Sequence, residues 1–280
     1  MAEFIIVFRE ALEASLIVGI IYLLIEKTNQ TAHFTKLWYG VFASILASIA
    51  VGFLVIQAKN ALGNNSTQAL FEAVFLYLTA FLIWYVIFWL SKNVSDKKVL
   101  EGQALNAIEI SSWGIFFVVF FAILREGFET AIFLISSFSI TGTFSYIGFI
   151  LGAALAILIG CLIVTQGRKI DLRGVFKYTT LLLVFLSAGM IAYGTHEAEE
   201  YLVKSEQIDK SEIYRVWDIL EPIKSAETGK TIYHPLHDKG SVGLFLKGFF
   251  GYNSNPNIPE VILWFLAMLF GLNMWRRFYY

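Results

Sequence analysis

Arg9-Glu10-Ala11-Leu12-Glu13 and Arg125-Glu126-Gly127-Phe128-Glu129 are the parts of this chain best equipped for chemistry. Both read R-E-x-x-E, and each is followed by two small residues, Ala14-Ser15 and Thr130-Ala131. Residues three and four apart share a helix face, so Glu10 points with Glu13 and Arg9 lies one turn from Glu13. The same holds for Glu126, Glu129 and Arg125. Two such helices facing each other can present four carboxylates, an all-oxygen cage for a hard cation. The two guanidiniums would then serve as partners that hold and compensate the carboxylates.

Both motifs sit in apolar surroundings. The chain has 280 residues, of which 57% are hydrophobic and 15% charged, with 26 Phe and a mean hydropathy of +0.66. That composition belongs in a bilayer rather than in a soluble domain. A hydrocarbon core roughly 30 Å thick needs about 20 apolar residues to cross it. The sequence predicts seven such spans, at about Phe4–Ile25, Leu37–Ile56, Ala69–Leu90, Trp113–Phe138, Tyr146–Val164, Val175–Tyr193 and Ile258–Trp275. Each must be helical to satisfy its own backbone. The expected fold is therefore an all-α membrane protein of about seven transmembrane helices in a single domain, 1–280. Intramembrane charge is costly, about 2.5–3.5 kcal/mol per residue at a helix centre on insertion scales. Buried ion pairs seldom recover that cost, which argues against a merely structural role for the two motifs.

The motif recurs after three spans, an odd number, so the first and fourth helices should run antiparallel. The reading is a 3+3 inverted repeat, about 1–100 and about 101–196. An extracytoplasmic helix and loop, about 197–257, and an additional helix, about 258–275, complete it. Counting along each helix at about 1.5 Å per residue puts Glu13 and Glu126 roughly halfway across, so the motifs can meet near the midplane. Lys27, Lys36, Lys92, Lys97, Lys98, Arg168, Lys169, Arg173, Lys177, Arg276 and Arg277 fall on one side, against Lys59 in the short loops of the other. The positive-inside rule then places the N-terminus outside the cytoplasm and the C-terminus inside. Met1-Ala2-Glu3 lacks the basic region of a signal peptide, so the first span is expected to stay attached.

Secondary positions carry weaker signals. His196, Glu197 and Glu200 lie at i, i+1 and i+4 at the outer mouth of the sixth span and form a candidate outer capture site, with Glu72 of the third span beside it. The stretch from Glu197 to about Pro222 is expected to be helical, with Tyr201, Leu202, Val216, Trp217 and Leu220 as apolar contacts. Asp209, Glu212, Asp218 and Glu221 read as a solvated face, and His234 and His237 as loop residues. Gly148-x-x-x-Gly152, continued by Ala153, Ala156 and Gly160, gives the fifth span a smooth packing face. Cys161, the sole cysteine, is expected to be a small buried hydrophobe and excludes a thiolate cluster. A net charge of −1 offers no case for a nucleic-acid partner.

The paired R-E-x-x-E motifs, Arg9–Glu13 and Arg125–Glu129, resemble the hallmark of the oxidase-dependent iron transporters, the fungal high-affinity iron permeases and their bacterial counterparts. His196-Glu197-Ala198-Glu199-Glu200 is similar to that family's H-E-x-x-E at the end of the sixth span, and the Gly248–Pro256 approach to the last helix also resembles it. The resemblance implies uptake of iron, as Fe3+, across the cytoplasmic membrane. Glu10, Glu13, Glu126 and Glu129 would be the metal residues, Arg9 and Arg125 their charge compensation. It also implies a separate ferroxidase or extracytoplasmic iron-binding protein as partner.

Taken without the resemblance, the residues leave the metal open. Four glutamates and two arginines sum to −2, which neutralises a divalent ion, and carboxylates suit several hard cations. No permanently bound cofactor is expected, the ion being cargo. The competing readings are a carrier of another hard metal, a proton-coupled solute carrier that uses the glutamates as proton shuttles, and an intramembrane enzyme. The last lacks a nucleophile near the carboxylates, so no enzymatic activity is expected.

Overall fold

Long apolar runs can satisfy their backbone groups in lipid only within themselves, and the chain accordingly folds into helices. The computed structural model describes residues 2–93, 113–166, 172–218, 220, 223–224 and 231–279. Eight α-helices occur among them: α1 (Ala2–Lys27), α2 (Phe34–Ala61), α3 (Asn65–Asn93), α4 (Gly114–Thr141), α5 (Tyr146–Gln166), α6 (Leu172–Lys204), α7 (Ser241–Phe250) and α8 (Ile258–Tyr279). A ladder of two two-residue strands, Ile223–Lys224 and Thr231–Ile232, is the only sheet described. Lys97, Lys98, Arg168, Lys169, Glu221 and Pro222 lie outside the described residues.

Helices α2, α3, α5, α6 and α8 are long and apolar enough to cross a membrane, and the protein is an integral membrane protein. Helices α1 and α4, of 26 and 28 residues, are as long but carry the charged motifs. Each expected stretch lies along one of these seven helices, Trp113 standing just before the first residue of α4.

Packing directions follow from who touches whom. Along α1 and α5, Phe4 and Phe8 meet Gly152, Ser15 meets Gly160, and Gly19 meets Val164, so the two run parallel. Helices α2 and α4 are parallel too, since Gly40 lies against Phe116 and Val119, Ser48 against Gly127, and Gly52 against Ala131. Helices α3 and α6 run antiparallel, with Tyr77 OH 2.9 Å from Thr195 Oγ1 and Trp84 Nε1 donating to Ser187 Oγ at 3.0 Å. Gly142 closes α4 in the left-handed conformation (φ 65°), its N–H donating to Phe138 C=O at 2.8 Å. The chain then turns straight into α5. Helix α1 is therefore opposed to α4.

The smooth face of α5 is where α1 docks. A Cβ at Gly152 would sit 2.6 Å from the Phe4 carbonyl oxygen, so only glycine allows this approach. The largest buried cluster joins α3, α4, α6 and α8 through Leu76, Ile83, Phe133, Leu183, Met190 and Met268, with Ala2 and Ile6 of α1 at its edge.

Two expectations need correction, and one helix is additional to them. The helix foreseen from Glu197 to Pro222 stops at Lys204: Glu206 takes a left-handed conformation (φ 58°) and the chain turns away. Beyond it, Asp209 accepts hydrogen bonds from the Ser211 N–H and O–H, which hold its carboxyl below the usual range and cap a single 3-10 turn. Cys161 is exposed rather than buried, on the outward face of α5, where lipid can cover it. The sequence reading also passed over α7, ten residues that fold back against α6, with Gly251 (φ 67°) pressed on Gly189.

The close α1–α5 contact gives a direct test. Gly152→Val should destabilise the protein by about 1–3 kcal/mol through overpacking, read as a lower thermal midpoint in detergent. Gly63→Ala, at a position with nothing within 4 Å of its Cβ, should leave that midpoint unchanged.

Candidate metal site

The helical spacing of R-E-x-x-E turns Glu10 and Glu13 to one side of α1, and the packing of α1 on α4 brings Glu126 to meet them. One oxygen from each of Glu10, Glu13 and Glu126 lies within 4.8 Å of the other two. Arg9 holds the group from within: Nη1 pairs with Glu10 Oε1, and Nη2 lies 2.8 Å from Glu13 Oε1. Arg9 and Glu10 are each 1% exposed and Glu126 is 5% exposed. Glu10 Oε2 is buried without a hydrogen-bond partner among the described residues, which leaves a lone pair for a further electrophile.

Glu129 stands beside this triad rather than in it. Its Oε1 accepts from Arg125 Nε at 3.1 Å, and its charge is felt by Glu13. The two arginines are thus unequal, since Arg9 is sealed in the bundle whereas the Arg125 side chain is 38% exposed. Small groups next to the motifs seat each motif helix on its neighbour: Ser15 of α1 touches Gly160 of α5, and Gly127 of α4 touches Ser48 of α2. The Thr130 hydroxyl is tied back to the Glu126 carbonyl at 2.8 Å.

At the other cluster, the residues read together from the sequence divide. His196 Nδ1 lies 2.8 Å from Glu260 Oε1 and groups with Glu199 and Glu260. Glu197 is buried and faces Tyr193 and Glu72 instead. Glu72 is bound by Lys59 at 2.7 Å, and Glu200 by Lys204 at 2.7 Å. Lys247 of α7 reaches over the Tyr193 ring at 4.8 Å, and its burial lowers its pKa despite Asp238 nearby.

Sequence reading missed Glu199 and Glu260. Glu199 carried a signal, being three residues from His196. Glu260 carried another, because Asn257-x-x-Glu260 at the start of an apolar run is a capping pattern that fixes a carboxylate in the first turn.

A helical membrane protein with acidic and basic side chains gathered inside its bundle fits the transporter class. The chain matches the iron permease FTR1 family over residues 1–276, and it belongs to that family. It is 32% identical over 274 residues to the "Ferrous iron permease EfeU" of Yersinia pestis, covering 95% of this chain and 89% of that protein. The protein of the same name from Escherichia coli O6:K15:H31 is 27% identical, with 95% and 91% covered. An uncharacterized protein of Archaeoglobus fulgidus is 31% identical over 275 residues, with 97% and 94% covered. No solved structure matches the chain.

Because Arg9 is the buried counter-charge, Arg9→Met should leave Glu10 and Glu13 uncompensated and cost about 3–5 kcal/mol. Arg125→Met, at a half-exposed position, should cost clearly less. Thermal unfolding of the two variants in one detergent checks the order.

Proposed function

We propose that this protein is an iron permease of the cytoplasmic membrane that carries iron inward through Glu10, Glu13, Glu126 and Glu129 by alternating access. The observation that carries the reading is the buried convergence of Glu10, Glu13 and Glu126 around an unsatisfied carboxylate oxygen. Glu129, held by Arg125 one turn away, is the carboxylate that completes the coordination as the ion moves. Arg9 and Arg125 compensate charge while the site is empty.

The pairing of helices supports two halves of one permease domain. Exchanging α1 with α4 and α2 with α5 turns the α1–α5 contact into the α4–α2 contact, as an inverted repeat requires, and α3 with α6 maps onto itself. In this reading α1 and α4 cross the membrane with the other five. The basic residues then put the N-terminus outside and the C-terminus in the cytoplasm. A separate ferroxidase or extracytoplasmic iron-binding protein would deliver the ion.

The family resemblance implies ferric iron. A ferrous reading is favoured by the −2 sum of four glutamates and two arginines, and by the printed names of the Yersinia pestis and Escherichia coli relatives.

Uptake of radiolabelled iron into reconstituted vesicles tests the proposal, with Fe2+ and Fe3+ supplied in separate arms. Glu13→Gln and Glu129→Gln should each lower uptake by about tenfold or more. Equal accumulation by wild type and both variants would refute it, as would uptake of a metal-free solute in place of iron.

A further inference from the structure

A second set of metal-ligating side chains lies apart from the glutamates inside the bundle. His196 and Glu199 stand on α6 and Glu260 in the first turn of α8, and one ligand atom of each lies within 4.8 Å of the other two. This end of α8 is opposite the one that carries Arg276 and Arg277.

The way the set is held separates it from a solvated acidic patch. Asn257 is 2% exposed and is used at both ends: Oδ1 accepts the Glu260 backbone N–H at 2.7 Å, and Nδ2 donates to Glu199 Oε2. Asn253 Nδ2 donates to Glu260 Oε2 at 2.9 Å. Each carboxylate therefore has one oxygen fixed by an asparagine. Glu260, itself 3% exposed, turns its other oxygen to His196, and the second oxygen of Glu199 takes no hydrogen bond from a described residue. The imidazole is steadied by stacking on Tyr193, ring centroids 5.7 Å apart.

Such a frame confines two carboxylates that repel each other. The cationic group within reach of Glu199 besides His196 is Arg215, whose Nη1 is engaged by the Asn255 carbonyl at 2.6 Å. A partly buried network of this kind, oriented by amide groups behind the ligands, is the construction that metal sites use to fix their first ligands. Ordinary helix capping requires Asn257 and the Glu260 N–H alone. It does not require Glu199, His196 or Asn253.

We propose that His196, Glu199 and Glu260 form a second metal-binding site, which takes a divalent first-row transition ion at the mouth of the protein. One imidazole nitrogen among the donors shifts preference from Mg2+ and Ca2+, which want oxygen throughout, towards Fe2+ and its neighbours. Two carboxylates and a neutral imidazole sum to −2 and match a divalent charge. The identity of iron as the physiological ion rests on the proposed function; the divalent preference rests on these ligands alone. The capture site thus differs in chemistry from the all-oxygen set inside the bundle. It selects the ion before it loses its water.

Mn2+ is a suitable probe for full-length protein in nanodiscs, prepared without a polyhistidine tag. Bound Mn2+ should show 14N coupling in electron spin echo modulation, and His196→Gln should remove that coupling together with one bound ion per chain. Glu199→Gln, at a more accessible position, should weaken the same ion with an unchanged unfolding temperature, and Asn257→Ala should weaken it by about 10- to 100-fold. Glu126→Gln should leave the 14N signal intact, because the inner set offers no nitrogen. The proposal is overturned if wild type shows no 14N coupling, if the coupling survives His196→Gln, or if equimolar Mg2+ displaces the Mn2+. Loss of vesicle uptake with the 14N signal retained would count against the permease reading and leave this site standing. Normal uptake without the signal would remove this site alone.

Discussion

Every feature of the bundle answers to one constraint: ionised side chains placed among helices in an apolar medium must be neutralised by one another. Arg9 meets it most fully, since its guanidinium binds both Glu10 and Glu13 and lies within electrostatic reach of Glu126 and Glu129. An arginine suits this position because it stays charged at any accessible pH and its planar fork can engage two carboxylates at once. Three carboxyl groups thus gather around one such cation, and this is the arrangement on which the proposed function rests.

Close helix contact seats each of the two motif helices on a neighbour. The two motif helices are each received by a neighbour through a serine and a glycine, Ser15 with Gly160 and Gly127 with Ser48. Removing side-chain bulk there lets the α1–α5 and α2–α4 backbones approach. Helices α3, α4, α6 and α8 supply the apolar cluster that supports this arrangement, and Ser136 and Thr79 pair their hydroxyls there at 2.9 Å.

The end of the bundle where α6 stops and α8 begins is built on a different principle. Short irregular segments, from the end of α6 to the start of α8, carry much of its chemistry, and asparagines rather than an apolar cluster hold the carboxylates. Amide side chains donate and accept together, so Asn257 can join two elements that share no regular hydrogen-bonding pattern. Lys247, Lys59 and Lys204 each occupy an acid or an aromatic ring close by, while His196, Glu199 and Glu260 group with one another.

The sequence by itself determined the helical class, the seven long apolar segments and the facing of Glu10 with Glu13, because hydropathy and the 3.6-residue repeat are local properties written residue by residue. It also marked α5 as a packing face through Gly148, Gly152 and Gly160. Tertiary structure alone decided that Glu126 joins Glu10 and Glu13 while Glu129 stays with Arg125. It also decided that Arg9 is sealed and Arg125 is not, and that His196 turns to Glu199 and Glu260 rather than to Glu197 and Glu200. These outcomes depend on the rotation and depth at which separate helices meet. Contacts between residues far apart in the chain set those quantities, and no periodicity within one helix encodes them.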